Sequence, residues 1–153
     1  MPVHKWVRSV AQAQNEMSDF LFSYGTLLPE HAPAEIAAGV AKLRPHGKGS
    51  VSGVLFDFGD YPGALLDDLS NKRIFGTVFR LPKDPTLLDE LDRYEGFDPA
   101  SPGASLFVRK RCRATLSNGR IVDCWIYEYN GKPGTTQQVV ASGRYRKRDV
   151  AIR

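Results

Sequence analysis

Short apolar runs separated by turn residues predict a chain built mainly from β-strands. Residues 20–24 are apolar and rich in aromatic side chains, and Gly25 closes the run, which is typical of a buried strand that enters a tight loop. By the same criteria we predict further strands at 51–58, 64–68, 73–81, 107–116 and 121–129. The last two flank Asn118-Gly119, a pair that favours a two-residue hairpin turn.

Two short helices are predicted between these strands. Pro33 begins the first, apolar residues recur at helical spacing over 36–43, and residues 45–49 end it. The Asp-Pro pair at 84–85 provides the cap and the first residue of the second helix, which Gly96 ends. This order predicts an α+β fold, a small and strongly curved sheet or open barrel with helices packed on it.

One carboxylate in the second helix occupies a position that folding alone does not favour. Leu88, Leu91 and Glu95 stand at i, i+3 and i+7, so Glu95 continues the apolar stripe. The other charged residues of this helix, Asp89, Glu90, Asp92 and Arg93, lie off the stripe, as expected for solvated charges. Burial and the negative end of the helix dipole both raise the pKa of a carboxyl group there, which makes Glu95 a candidate general acid or base. If the helix frays at Tyr94, Glu95 instead reaches water or pairs with an arginine, and the spacing leaves both interpretations open.

Two glycine-containing turns are candidate binding elements. Gly25 lets the chain turn sharply after the strand and leaves backbone N–H groups free to hold a carboxylate or an oxyanion, although an ordinary strand turn explains it as well. In the turn at 59–63, Tyr61 either lines a pocket or packs within its own loop. The three histidines, His4, His31 and His46, are scattered and none has metal-ligand spacing, so we predict no metal site.

The positive charge is confined to one end of the chain. The protein has 153 residues, which is one domain by length, and a net charge of +4. Residues 142–153 hold five basic residues and one acidic residue, and the rest of the chain has 16 of each, so binding to nucleic acid is unlikely and would involve this basic C-terminal tail only. No apolar run approaches the roughly 20 residues that cross a bilayer, and we predict no membrane association.

The two cysteines and the N-terminal residues indicate the cellular compartment of the protein. A two-residue turn would pair Arg113 with Cys124, which places Cys112 and Cys124 on opposite faces and predicts that they form no disulfide. Free thiols suit a reducing compartment, so we predict a cytoplasmic protein. Residues 1–18 are polar and lack a signal-peptide core, and we interpret them as an N-terminal extension, a frayed helix or a disordered segment.

Three segments, taken together, resemble the gamma-glutamyl cyclotransferase-like family. Residues 22–27 resemble its Tyr-Gly-Ser/Thr-Leu signature, and residues 53–64 resemble its Gly-x-Leu-Tyr-Asp-x-Gly-x-Tyr-Pro-Ala stretch. Residues 91–97 are similar to its Leu-Asp-x-Tyr-Glu-Gly segment, whose Glu is the family's catalytic residue. Residues 125–129 fall where the family has its last aromatic strand, and the likeness covers about residues 20–130.

The resemblance implies a small mixed β-barrel with short packed helices and a cavity at one end, spanning 19–141 between the extension and the tail. It implies cleavage of a gamma-glutamyl amine or peptide by cyclisation to 5-oxoproline and a free amine, with no metal or cofactor. The alternative is a protein of the same fold that binds a small carboxylate without turnover. The implied catalytic residue is Glu95, and the implied substrate-binding residues are Tyr24, Gly25, Thr26, Leu27, Tyr61, Arg109 and Tyr127.

The chain departs from the family pattern before the second-last strand. The family often has Tyr-x-Arg there, and this chain has Phe107-Val108-Arg109, which lacks the hydroxyl. In the predicted hairpin Arg109 also faces Glu128, so an ion pair explains this arginine as well as a substrate contact does. Neither the identity of the gamma-glutamyl substrate nor the oligomeric state is indicated by the sequence.

Overall fold

A ring of strands closes into a small barrel in the computed structural model, which describes residues 19–134 and 137–146. The elements, in chain order, are β1 (Phe20–Ser23), α1 (Ala34–Val40), β2 (Arg44–Asp57), β3 (Pro62–Leu66), β4 (Arg73–Arg80), α2 (Thr86–Glu95), β5 (Phe107–Leu116), β6 (Ile121–Tyr129) and β7 (Gln138–Val139). A short 3-10 turn, Pro102–Ala104, precedes β5.

The closure of the ring depends on β6. The strand order is β1-β4-β2-β3-β6, and β6 pairs back with β1 at Leu21 and Trp125. The β1–β6 and β3–β6 pairs are parallel, and the other neighbours in the ring are antiparallel. β5 continues from β6 and also contacts β2. The α+β fold and the mixed barrel with short helices are therefore confirmed.

The apolar residues divide into two core layers. One layer contains buried residues of the strands and Tyr24, among them Phe22, Val78 and Ile126, and it fills the barrel. The other layer holds the buried residues of both helices, such as Ile36 and Leu91, packed against the outside of the strands. Along β1, Leu21 belongs to the outer layer and Phe22 to the inner one, as expected for a strand covered on both faces.

β2 is longer than its apolar pattern predicts. It begins at Arg44 and not at residue 51, and it pairs with β4 from Arg44–Arg80 to Ser52–Arg73, with a bulge between Pro45 and Gly47. The first half is polar and mostly accessible, so it lacks the alternation that marks a half-buried strand. A side chain at Gly49 would approach the Thr115 carbonyl oxygen to 2.6 Å, so glycine lets β2 and β5 meet there.

The β5–β6 hairpin is shifted by one residue from the prediction. Gly119 has φ +88°, its N–H donates to the Leu116 carbonyl, and the N–H of Leu116 donates to the Arg120 carbonyl, which adds one residue to the turn. Cys112 therefore pairs directly with Cys124, and their Sγ atoms lie 3.5 Å apart as free thiols. The prediction that the two cysteines point to opposite faces was wrong.

The predicted ends of the chain are described only in part. The predicted extension, residues 1–18, and residues 147–153 of the predicted basic tail lie outside the described residues. The described part of the tail packs on the barrel: the Phe75 N–H donates to the Gly143 carbonyl over 2.8 Å, and the Arg144 guanidinium lies 4.1 Å from the centre of the Phe75 ring. Among the described residues, no helix has the length and apolar character to cross a membrane.

Candidate active site

A cavity of about 360 Å³ lies where the end of β1, the end of α2 and the start of β3 meet. Its wall includes the last residues of β1 with the turn that follows, Pro62, the end of α2, and two residues from the hairpin strands, Phe107 and Tyr127. Segments from four distant parts of the sequence thus contribute to one concave site, which is the usual form of a small-molecule site.

Local sequence signals position Glu95 in this wall. The Asp84 carboxylate accepts a hydrogen bond from the Thr86 N–H over 3.0 Å at the start of α2. At the other end Gly96 adopts φ +70°, and the Phe97 N–H donates to the Asp92 carbonyl over 2.8 Å. The helix therefore stays intact through Glu95, and of the two interpretations that the spacing left open, the structure shows the one without fraying.

The environment of Glu95 makes its ionisation costly near neutral pH. Burial raises the pKa of the Glu95 carboxyl group from 4.5 to about 8, although the residue is still partly accessible through the cavity. Among the described residues, none forms an ion pair or a hydrogen bond with this carboxyl group. Glu95 can therefore gain and lose a proton close to physiological pH, as a general acid or base requires.

The turn after β1 lines the same cavity and carries free backbone donors. Tyr24, Gly25, Thr26 and Leu27 all line it. Within the described residues, the N–H groups of Gly25, Thr26 and Leu27 have no hydrogen-bond acceptor. Successive free N–H groups can receive a carboxylate or a developing oxyanion.

Close packing holds this turn in place. A side chain at Gly25 would come within 2.5 Å of the Pro62 ring, so only glycine fits there. The Tyr24 hydroxyl donates to the Tyr127 carbonyl over 2.6 Å and accepts from the Ala64 N–H over 3.2 Å, which joins the turn to β6 and β3. The pKa of Tyr24 lies well above its usual value, mainly because of burial and also because of the nearby Glu95 charge.

Two further aromatic residues named from the sequence line the cavity. Tyr61 lies in the β2–β3 loop, with its ring 5.7 Å from that of Phe58 and 5.8 Å from that of Phe107. Tyr127 presents its ring from β6, and its hydroxyl donates to Asp92 over 2.6 Å. Burial, followed by the Asp92 charge, raises the pKa of Tyr127 well above its usual value, so this phenol stays protonated.

Arg109 lies outside the cavity wall. Its guanidinium forms an ion pair with Asp92 through Nε at 2.9 Å and packs 4.4 Å from the centre of the Trp125 ring. The predicted Arg109–Glu128 pair was wrong, because the shifted hairpin places Arg109 opposite Tyr127 and leaves Glu128 to bind Lys110 over 2.6 Å. Arg109 supports the site from behind, through Asp92.

Asp92 and several cavity residues were missed by the sequence argument. Asp92 was expected to be solvated, yet it is only 4% exposed. Hydrogen bonds from Tyr127 and Arg109 satisfy its oxygens and so make the burial of this charge possible. The residues of the wall that the sequence did not indicate include Ser23, Glu35, Arg93 and Tyr94. Ser23, Arg93 and Tyr94 lie within two of the segments that resemble the family, residues 22–27 and 91–97, whereas Glu35 lies in α1 outside those segments. The described residues contain no cluster of three or more His, Cys, Asp or Glu suited to a metal ion.

A family model described as gamma-glutamyl cyclotransferase, AIG2-like, matches residues 21–147. The chain belongs to this family. No curated protein matched the chain in a sequence search.

Solved structures show the same fold at low sequence identity. An AIG2-like protein from Mus musculus superposes with a TM-score of 0.59 and 18% identity, covering 75% of this chain and 80% of the mouse chain. A protein named gamma-glutamyl cyclotransferase gives a TM-score of 0.55 and 17% identity, over 78% of this chain and 68% of its own. YkqA from Bacillus subtilis gives a TM-score of 0.60 and 21% identity, and the match covers 83% of this chain but only 39% of YkqA. Family and fold together support a gamma-glutamyl cyclotransferase-like function on small gamma-glutamyl substrates.

Proposed function

We propose that this member of the AIG2-like family cleaves a gamma-glutamyl amine or peptide by cyclising its glutamyl part to 5-oxoproline. One observation carries the proposal: a carboxyl group with a pKa of about 8, Glu95, shares a cavity with the three free N–H groups of residues 25–27. The Glu95 carboxyl group can move a proton at neutral pH, and the three N–H groups can hold the negative charge of the substrate or of the transition state.

The proposed reaction exchanges one carbon–nitrogen bond for another. The α-nitrogen of the glutamyl group attacks its own γ-carbonyl carbon, and the bond from that carbon to the leaving nitrogen breaks. The attacking α-nitrogen is the neutral amine and Glu95 is in its carboxylate form. Glu95 takes the one proton that this nitrogen loses on becoming the lactam N–H and gives it to the leaving nitrogen, so no net proton is consumed. Because both reacting groups belong to one molecule, the contribution of the cavity is to hold the chain folded and to exclude other conformers.

Backbone and side-chain groups divide the binding. The N–H groups after Tyr24 receive the α-carboxylate or the oxyanion, since both are acceptors without protons to donate. The rings of Tyr61 and Tyr127 form apolar walls beside the glutamyl chain. Asp92 and Arg109 are positioning residues, because they hold the hydroxyl of Tyr127 and do not face the cavity themselves. We also propose a cytoplasmic location, on the ground of the two free thiols.

Release of 5-oxoproline from a panel of gamma-glutamyl amines, dipeptides and gamma-glutamyl-lysine compounds tests the proposal. We expect turnover by the wild type and a loss of about 100-fold or more in Glu95→Gln, the range that removal of a general acid or base produces. Glu90→Gln, the same exchange on the same helix outside the cavity, is the matched control and should keep its rate. Equal activity of wild type and Glu95→Gln would refute the role of Glu95. Binding of glutamate or 5-oxoproline without turnover of any substrate would instead indicate a small-carboxylate binding protein.

A further inference from the structure

The hydroxyl of Ser23 is a polar group that the proposed mechanism does not use. Ser23 is the last residue of β1, is 2% exposed and lines the cavity. Its Oγ has no hydrogen-bond partner in the structure of the described residues, a property that it shares there only with the buried ring nitrogen of Trp125. Of these two residues, Ser23 lines the cavity and Trp125 does not.

The strand geometry places this hydroxyl on the same side as Glu95. Side chains alternate along β1, and Ser23 therefore shares the face of Leu21, which packs in the layer under the helices. Leu91 belongs to that layer too, and Glu95 follows it by one helical turn. The apolar layer thus ends at the cavity with two polar side chains, Ser23 from the strand and Glu95 from the helix.

A buried hydroxyl without a partner destabilises the ligand-free protein, because it loses its hydrogen bonds to water and gains none in the folded state. The penalty is removed when a ligand supplies a complementary polar group. Among the polar groups of a glutamyl substrate, the carboxylate and the carbonyl oxygens are acceptors that suit the N–H donors of residues 25–27. The α-nitrogen is the donor, and it needs acceptors where it enters the cavity beside Glu95.

We propose that Ser23 is a substrate-binding residue whose Oγ accepts a hydrogen bond from the glutamyl nitrogen, next to Glu95. The inference rests on the proposed function and adds to it a residue that orients the attacking nitrogen. Because the contact is to the glutamyl part, it applies to every leaving group that the enzyme accepts.

Two product-like ligands that differ in one atom test the contact. 5-Oxoproline carries a ring N–H at the position of the former α-nitrogen, and 5-oxotetrahydrofuran-2-carboxylate carries a ring oxygen there. By titration calorimetry we expect Ser23→Ala to weaken binding of 5-oxoproline by about fivefold to tenfold, the range for one neutral hydrogen bond, and to leave binding of the lactone unchanged. Ser23→Cys, which keeps the size but is a poor hydrogen-bonding group, should behave like Ser23→Ala.

Stability separates a binding role from a structural one. Since Oγ of Ser23 has no partner, Ser23→Ala should unfold at the same or a higher temperature than the wild type in the absence of ligand. Ser52→Ala is the matched control, because its hydroxyl accepts from Arg73 over 2.6 Å and lies outside the cavity. It should lower stability and leave both ligand affinities unchanged.

The outcomes distinguish this inference from the function on which it rests. If the wild type turns over substrate and Ser23→Ala binds 5-oxoproline as tightly as the wild type, the role of Ser23 is refuted and the proposed function stands. Equal weakening of both ligands would show that Ser23 contacts another part of the ligand and would refute the assignment to the nitrogen. A wild type that neither binds 5-oxoproline nor releases it from any substrate overturns the proposed function, and the Ser23 assignment with it.

Discussion

At the scale of the residue, the site depends on groups that are held in unfavourable protonation or hydrogen-bonding states. Glu95 has a pKa raised to about 8 by burial, and three backbone N–H groups of the turn at 25–27 lack acceptors within the described structure. The folded protein gains nothing from either feature without a ligand. Both become favourable when a substrate brings a nitrogen and a carboxylate, so the cost is consistent with a binding and catalytic role.

The raised pKa of Glu95 predicts a pH-dependent cost in stability. The pKa is higher in the folded state, at about 8, than its unperturbed value of 4.5, so the unfolded chain loses its proton first as the pH rises. Stability is therefore lost between pH 4.5 and 8, by at most about 1.4 kcal/mol for each pH unit. Below that window the carboxyl group is neutral in both states and the cost is absent.

Glu95→Gln should remove this cost. We expect the variant to match the wild type near pH 4.5 and to exceed it by about 2–4 kcal/mol at pH 8.5, as measured by urea unfolding at a series of pH values. Glu90→Gln, on the same helix, corrects for the loss of one negative charge. A difference between Glu95→Gln and wild type that stays constant with pH would show that Glu95 ionises normally in the folded protein.

At the scale of the element, the turn after β1 is defined by contact with β3. A Cβ atom added at Gly25 would lie 2.5 Å from the Pro62 ring, so the position of the free N–H groups depends on a glycine in one segment and a proline in another. The sequence showed both residues within two family motifs, but the contact between them depends on the fold. This is the reason that the turn could be named as a candidate and its packing could not.

Gly25→Ala should therefore displace the turn. The added methyl overlaps Pro62, and we expect a loss of about 1–3 kcal/mol in the free energy of unfolding together with a loss of affinity for 5-oxoproline. Gly103→Ala is a suitable control, because nothing lies within 4 Å of a side chain at that position. Unaltered binding by Gly25→Ala would show that the N–H groups of this turn do not hold the ligand.

Sequence reasoning succeeded for local features and failed for register. The apolar stripe of α2, its caps and its end at Gly96 all lie within residues 84–96, and they indicated that Glu95 stands at the end of the helix. Whether the helix frays at Tyr94 was left open by the spacing, and the structure shows it intact through Glu95. The partners of Asp92 come from β5 and β6, and the one-residue shift at Gly119 decides which of their side chains reach it. The helix pattern alone predicted an exposed position for Asp92, because it contains no information on the two distant strands that bury this residue.

At the scale of the whole molecule, the hydrogen bonds of the Tyr24 hydroxyl both close the barrel and hold the walls of the cavity. The family motifs predicted the mixed barrel because they occur in order along the chain, whereas the polar first half of β2 has no apolar pattern and was missed. The closing contact runs from the end of β1 to β6 and β3, where the Tyr24 hydroxyl joins Tyr127 and Ala64. Closure of the ring therefore positions the walls of the site.

Tyr24→Phe should weaken the barrel and the site together. It removes one hydroxyl and leaves the Tyr127 carbonyl and the Ala64 N–H without this partner in a buried region, which costs about 1–3 kcal/mol. We expect a lower urea midpoint with an unchanged slope, because the ring still closes, and a lower affinity for 5-oxoproline, because β1, β3 and β6 are held less precisely. Tyr129→Phe is the control, since its hydroxyl forms no hydrogen bond within the described part of the chain and its loss should change neither quantity. If Tyr24→Phe lowers stability and leaves affinity intact, the hydroxyl closes the barrel without positioning the cavity, and the connection between closure and binding is refuted.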